Sequence, residues 1–453
     1  MTNDARLMHG QWSSRTAFIL AASGSAIGLG NIWKFPYLTG ENGGGAFVLV
    51  YLLCVAGLGI PIMIAETMLG RRGRQSPINT MRNLARRANA SPFWSYAGWI
   101  GVLAGFLILS YYSVIAGWSM VYIIKAGSGM FAQMNGEAAR QVFQSLQSSS
   151  DIQFIWHTLF MVATMTIVSL GVSSGLEKGT RLLMPLLFLM LLVLVGYALN
   201  SAGFRQGMAF MFLPDFSRLG GASVLTAMGQ AFFSLGLGMG SIMVYGSYLP
   251  DDVSIGQSAL FVAVADTLVA LLAGVAIFPI VFANQMEPSM GAGLIFETLP
   301  VAFGQMPGGT LFGTLFFVLV FFAAITSSIA LIEPAVAWLV ENRRMTRSTA
   351  CFWSGATCWL LGLGTVYSFN DWAGFTIFGK TIFELVDFVT ANLMLPLGGL
   401  MIALFAGWVL GAADSEHELR MESPGRYQAW RVLIRYIAPL GVTVVFLNAV
   451  GIL

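Results

Sequence analysis

The run Ser23-Gly24-Ser25-Ala26-Ile27-Gly28-Leu29-Gly30-Asn31 lies inside a hydrophobic stretch long enough to cross a bilayer. Glycines and an asparagine at this spacing end a helix. In lipid the freed N–H and C=O groups have no water to bond, so such a break persists only where it lines a cavity or holds a ligand. Ser234-Leu235-Gly236-Leu237-Gly238-Met239-Gly240 repeats the interruption about half the chain later. Two interrupted helices in corresponding halves point to a transporter-type binding site at the bilayer midplane. Carbonyls, carboxylates and hydroxyls suit a hard cation, and the amide end of a half-helix suits a carboxylate. Asp266, in Ala265-Asp266-Thr267-Leu268, adds a charge deep in an apolar run, where a carboxylate costs roughly 2.5–3.5 kcal/mol on insertion scales. It reads as a functional group, or as half of a buried pair with a neighbouring amide or hydroxyl. Thr326-Ser327-Ser328 is weaker by itself, because such hydroxyls commonly bond their own helix or pack between helices.

Composition sets the class of the scaffold that holds these groups. Hydrophobic residues make up 57% of the 453-residue chain and charged residues 10%, against about 25% charged in a soluble domain. Apolar runs longer than ~18 residues recur. They predict an all-α membrane protein with eleven spans, near 15–40, 46–69, 94–125, 153–173, 179–199, 224–249, 257–283, 308–341, 346–366, 381–410 and 430–452. Arg71, Arg72, Arg74, Arg82, Arg86 and Arg87 follow span 2, and Lys178 and Arg181 follow span 4. Arg343, Arg344 and Arg347 follow span 8, and Arg420, Arg426 and Arg431 follow span 10. With Arg6 and Arg15 they share one side, which predicts a cytoplasmic N-terminus and, for an odd span count, Leu453 outside. The first apolar run is a full span rather than a cleavable leader.

Cys54, Cys351 and Cys358 fall in spans without metal-ligand spacing. The outer loop 126–152 has no Asn-x-Ser/Thr site, which fits a bacterial inner membrane. A net charge of +2 gives nucleic acid no purchase. No nucleotide loop, metal cluster or Ser-His-Asp set emerges around His9, His157 and His417, which argues against an enzyme.

Gln11-Trp12-Ser13-Ser14-Arg15, the Gly24 to Asn31 run, Lys34-Phe35-Pro36 and Glu41-Asn42-Gly43-Gly44-Gly45-Ala46-Phe47 resemble the opening of the neurotransmitter:sodium symporters. Gly229-Gln230-Ala231-Phe232-Phe233-Ser234 and Ala324-Ile325-Thr326-Ser327-Ser328 extend the likeness through spans 1–10. The broken-helix rule is itself partly drawn from this family. The bacterial amino-acid branch is most similar. The resemblance implies one transporter domain over 1–453, a five-plus-five inverted repeat with helices 1 and 6 broken. Repeat one covers about 15–199, repeat two about 224–410, and an extra helix about 430–452. It implies sodium-coupled symport of neutral hydrophobic or aromatic L-amino acids by alternating access, with two sodium sites and no chloride. A symporter of another small zwitterion (GABA, glycine or a betaine-like solute) and a sodium-dependent amino-acid sensor remain alternatives. Many members have twelve spans, so eleven leaves the oligomeric state open.

By this resemblance the Leu29 and Gly30 amides and the Tyr112 hydroxyl hold the solute carboxylate, and the Ala26, Phe233 and Ser234 carbonyls meet its amine. On residue type alone Tyr112 reads equally as an interfacial aromatic beside Tyr111. Ile108, Phe233, Gly236, Met239, Ser327 and Leu331 line the side-chain pocket, which carries no charge. Gly236 and Met239 stand where part of the branch has serine and phenylalanine, leaving volume and a pliable wall for large side chains. Gly28 stands where monoamine carriers place an aspartate, so the solute must bring its own carboxylate; close helix packing explains the same glycine.

The first sodium site is implied at Ala26, Asn31, Ser234 and Asp266 with the solute carboxylate, and the second at Gly24, Ile27, Ala323, Thr326 and Ser327. Much of the family has asparagine where Asp266 stands. Tyr51, Gln230 and Ser234 match chloride-site residues, while the serine four positions after Asp266 is replaced by Ala270. Asp266 is thus expected to supply the negative charge itself and to take up a proton on the empty return step. Lys34 is expected to face Asp387 as the outer gate, with Glu384 a competitor, above Phe233 and Tyr112. Trp12, Ser247, Tyr248 and Glu341 match the inner gate, whose cation is Arg6 or His9. Gly175 and Pro185 match an element whose unwinding wets the second sodium site, or are simply a cap and a helix-start proline. Glu66 and Glu333 read as buried hydrogen-bonding anchors.

Overall fold

Uninterrupted apolar runs form long helices, and clustered glycines decide where they break. The structure, a computed structural model, describes residues 12–288, 294–421 and 423–449. Seven helices are long and apolar enough to cross a membrane: Gly45–Gly73, Pro92–Gly127, Ser150–Ser169, Gly175–Leu199, Ile255–Ala283, Gly309–Arg343 and Ile382–Val409. Arg15–Ala26 with Gly30–Glu41, bent by 50° at its break, is an eighth. Gly221–Ser234 with Ser241–Ser247, then Arg347–Ser368, then the helical run from Pro424 to Ala449 take the other three predicted positions. Numbered in chain order they are spans 1 to 11. Among the described residues no strand forms beyond one isolated bridge, Ile377 with Lys380.

Some boundaries move. Span 4 begins at Ser150, and span 11 at Pro424. The 126–152 connection is not all loop: Gly136–Ser148 is a helix capped by Asn135, whose side chain accepts from the Ala138 N–H at 2.8 Å. It is too short and too polar to register as a span. In span 2, Pro61 removes a backbone donor, and the turn before it, Val55–Gly59, widens to π geometry.

Two sets of five helices repeat the same order. The third member of each, spans 3 and 8, is the longest at 36 and 35 residues, and the two pack along each other. Five is an odd number, so span 6 enters from the side opposite to span 1. The contacts bear this out: the Trp12 N–H at the start of span 1 donates to the Tyr248 carbonyl after the end of span 6, at 3.2 Å. The fold is therefore the inverted repeat that the family resemblance implied, with the two broken helices antiparallel at its centre. Buried polar clips fix the surrounding helices, as buried polar groups must be paired. The Trp118 indole N–H donates to Gln153 at 3.0 Å, and His157 bridges Ser113 Oγ at 3.0 Å and the Trp359 carbonyl at 3.1 Å. Span 11 is tied to span 2 by the Trp430 indole N–H on the Pro61 carbonyl, at 3.1 Å.

Candidate functional site

The first break is sharp. Ile27 N–H closes the inner half-helix on Ser23 O at 2.7 Å, then Ile27 itself turns extended at φ −70°, ψ 104°. The amides just beyond it find side chains instead of backbone. Gly28 N–H donates to Asn31 Oδ1 at 3.1 Å, and Leu29 N–H donates to the Tyr112 hydroxyl at 3.3 Å. In span 6 the break uses Gly236, Gly238 and Gly240, all at positive φ between 65° and 77°, where L-residues are strained. Gly238 has a second reason to be glycine, since a Cβ there would sit 2.6 Å from the Leu395 carbonyl. Its N–H donates to buried Glu66 at 2.6 Å, so Glu66 anchors the unwound segment of span 6.

Between the breaks lies a narrow cavity lined by Ser25, Ala26, Gly28, Leu29, Gly30, Ile108, Tyr112, Phe233, Gly236, Met239, Ser241, Ser327, Ala330 and Leu331. Every predicted solute residue lines it except Ser234, which is fully buried and bonded to Asp266. Ser25, Ser241 and Ala330 were not foreseen; small residues on helices full of small residues give no sequence signal. The lining holds no charged side chain among the described residues. Its span 1 end presents amides and the Tyr112 hydroxyl, and its other walls are Ile108, Met239, Ala330 and Leu331.

Two oxygen clusters flank the cavity. At one, Asp266 is wholly buried and accepts from Asn31 Nδ2 at 2.7 Å and from the Ser234 hydroxyl. Tyr51 OH lies 3.1 Å from Ser234 Oγ, and Gln230 Nε2 donates to the Gly30 carbonyl at 2.8 Å. Asn31 therefore links the break in span 1 to the carboxylate of span 7. At the other cluster, Ser327 Oγ reaches the Gly24 carbonyl at 3.4 Å and the Ile27 carbonyl at 3.2 Å. Thr326 Oγ1 donates to the Ala323 carbonyl at 3.1 Å. A Cβ on Gly24 would stand 3.3 Å from Thr326 Cβ, so the second predicted ion set also converges. These are hard oxygen donors drawn from two helices, as an alkali cation needs.

The residues expected at the outer and inner gates form clusters of different construction. Lys34 Nζ stands 4.0 Å from Asp387 and 4.2 Å from the centroid of the Phe233 ring. Glu384, the competing partner, instead closes a capping box with Thr381. Below, the Trp12 ring lies edge-on to Tyr245 and Tyr248, and its indole N–H donates to the Tyr245 carbonyl at 3.0 Å. Tyr248 OH donates to Glu333 at 2.8 Å, and Arg347 forks onto the same carboxylate at 3.0 and 2.5 Å. Glu333 is thus tied to the residues expected at the inner gate, a pairing that residue type alone did not reveal. Glu341 accepts from the Ser76 N–H at 2.6 Å and from Asn79 at 2.7 Å, and the Ser247 hydroxyl turns back to Val244 O at 2.6 Å. Arg6 and His9 lie outside the described residues. Span 5 is helical past Pro185, with a wide turn at Val172–Glu177. There Glu177 accepts from the Ser13 N–H at 3.0 Å and from the Ser13 hydroxyl, and Arg181 pairs with Glu177 at 3.1 Å.

Comparison with known proteins agrees with this geometry. The model of the sodium:neurotransmitter symporter family matches residues 9–147 and 135–452. An uncharacterised sodium-dependent transporter of Bacillus subtilis (strain 168) is 39% identical over 446 residues, covering 98% of each chain. The human sodium- and chloride-dependent GABA transporter 2 is 25% identical, over 90% of this chain and 74% of its own. The crystal structure of MhsT in complex with L-phenylalanine superposes with a TM-score of 0.91 at 42% identity, covering 97% of this chain and all of that one. Family and structural neighbours alike are membrane transporters and not enzymes, and this chain belongs to the sodium:neurotransmitter symporter family.

Proposed function

We propose that this protein carries a neutral hydrophobic or aromatic L-amino acid together with sodium, by alternating access and without chloride. The carrying observation is the uncharged cavity in which the amide end of a broken helix, beside Tyr112, faces the apolar side chains of Ile108, Met239 and Leu331. A carboxylate placed there meets the Leu29 and Gly30 amides and lies next to the Asn31, Ser234 and Asp266 oxygens. One sodium ion would then be shared between protein and solute, and a second would sit among Gly24, Ile27, Ala323, Thr326 and Ser327. Gly28 supports a solute with its own acid group. A Cβ at this position would run into the Ser327 hydroxyl and stand 2.9 Å from that of Tyr112, leaving no room for an acidic side chain. The walls of Ile108, Met239 and Leu331 favour apolar side chains, and MhsT, with L-phenylalanine bound, is a relative of the right class.

Chloride independence rests on Asp266, whose charge stands beside Tyr51 and Ser234, with buried Ala270 four residues further on. The cationic loops argue for a cytoplasmic N-terminus, a C-terminus outside and an inner-membrane setting.

Counterflow in proteoliposomes tests the reading. Labelled phenylalanine or tryptophan should exchange in sodium chloride and in sodium gluconate alike, with leucine and methionine competing and GABA, glycine and betaine failing to compete. Asp266→Asn should lose exchange in gluconate and regain part of it in chloride. Binding without exchange would indicate a sensor, and chloride-dependent exchange by the wild type would refute the role given to Asp266.

A further inference from the structure

Away from the solute path, the outer face of spans 10 and 11 carries a charge that no acid among the described residues balances. The two helices pass closely, so that a Cβ on Gly407 would stand 3.2 Å from Arg435 Cα. The Arg435 guanidinium lies over the Trp408 ring, 4.4 Å from its centroid, and the Trp408 indole N–H donates to the Arg435 carbonyl at 3.0 Å. Tyr436 stands edge-on to Trp408 with ring centroids 5.5 Å apart. Arg435 Nε is buried without a hydrogen bond, and among the described residues no carboxylate pairs with this guanidinium. One turn earlier Arg431 Nη1 donates to two neutral groups, Ser415 Oγ at 3.1 Å and Tyr427 OH at 2.8 Å, and no carboxylate pairs with it among the described residues.

The surroundings say which anion completes the pair. Trp408, Tyr436 and Leu440 are 52%, 51% and 66% exposed on the outer surface of the bundle, an apolar rim that faces acyl chains rather than water. Trp408 is next to last in span 10, at the end where span 11 begins and where Arg420 and Arg426 lie. That is the depth of the aromatic belt, within reach of a headgroup for a snorkelling arginine. We propose that Arg435, framed by Trp408 and Tyr436 and with the charge of Arg431 one turn away, binds the phosphate of an anionic phospholipid in the leaflet at this end of the bundle. The planar guanidinium suits two phosphate oxygens at once, and the acyl chains run along Leu440.

Fluorescence quenching in nanodiscs tests the site, with the Trp408 signal taken as the difference between wild type and Trp408→Phe. In mixed bilayers, brominated phosphatidylglycerol should quench that signal more than brominated phosphatidylcholine, by about fivefold in local occupancy for each basic residue engaged. Arg435→Gln should remove most of the preference and Arg435→Lys should keep part of it, with sodium-dependent amino-acid binding reporting that both variants are folded. Equal quenching of the wild type by the two lipids overturns the proposal. Displacement of the lipid by millimolar glycerol phosphate also overturns it, because the site would then belong to a soluble phosphate.

Discussion

The two closures of the central cavity are built from different amounts of chemistry. The outer one is a single pair: Lys34 and Asp387 stand 4.0 Å apart, the acid side chain 36% exposed, with Lys34 resting on the half-buried Phe233 ring. Beside this pair, Lys34, Phe233, Gln230 and Asn392 line a second cavity of about 290 Å³, against about 30 Å³ in the central one. The inner closure is layered. Trp12, Tyr245 and Tyr248 form a buried aromatic plug, under which Glu333 is gripped by Tyr248 and by both arms of Arg347. Glu177 adds a second tie from span 5 to Ser13. One side of the cavity is thus held by a single ion pair and the other, its floor, by several buried partners. On the proposed reading, opening the firmer side requires several buried partners to part together.

Breaking the floor should therefore cost most. Glu333→Gln strands Arg347 in a buried site, a loss of ~3–5 kcal/mol for one partner of a buried ion pair. Alkylation of Cys351, buried one turn from Arg347, should accelerate strongly, and the double variant Glu333→Gln, Arg347→Gln should recover part of the protection. Next comes Ser13→Ala, which removes a hydrogen bond to a carboxylate, about 1.5–3 kcal/mol. Hydrogen exchange over 172–181 should rise while the outer gate is unchanged. At the outer gate, Lys34→Ala loses a contact worth ~0.5–2 kcal/mol over the Phe233 ring and should speed solute release several-fold. Asp387→Asn touches a pair at the solvent-exposed end, worth ~0.2–1 kcal/mol, and should have the smallest effect, diminishing further in high salt. An effect of Asp387→Asn larger than that of Glu333→Gln would reverse the comparison.

Much of the centre was legible because rare residue types were concentrated there. Glycines in an apolar run marked both breaks, and Asp266 stood out as the acid in span 7. Asn31 and Ser327 were assigned by the family resemblance, and each proves to sit against a break. The floor was less legible. Glu66 and Glu333 look alike in sequence, each an acid in an apolar run, yet one holds the Gly238 amide and the other Tyr248 and Arg347. Gly238 and Tyr248 lie 172 and 85 residues from their acids along the chain, and only the folded arrangement reveals such pairings. Ser13 with Glu177, 164 residues apart, was hidden for the same reason. The helix at Gly136–Ser148 carries no long apolar run to mark it, and its pattern is that of a short amphipathic surface helix.

The central claim is that the unwound backbone, Asp266 and the solute's own carboxylate share an ion, so that each ligand tightens the other. Phenylalanine affinity of the purified protein, measured by calorimetry in sodium and then in potassium at equal ionic strength, tests it most directly. The affinity should fall by about 5–150-fold in potassium, the usual range of such coupling, with sodium affinity falling equally when phenylalanine is withheld. Equal phenylalanine affinity in the two buffers would contradict the account.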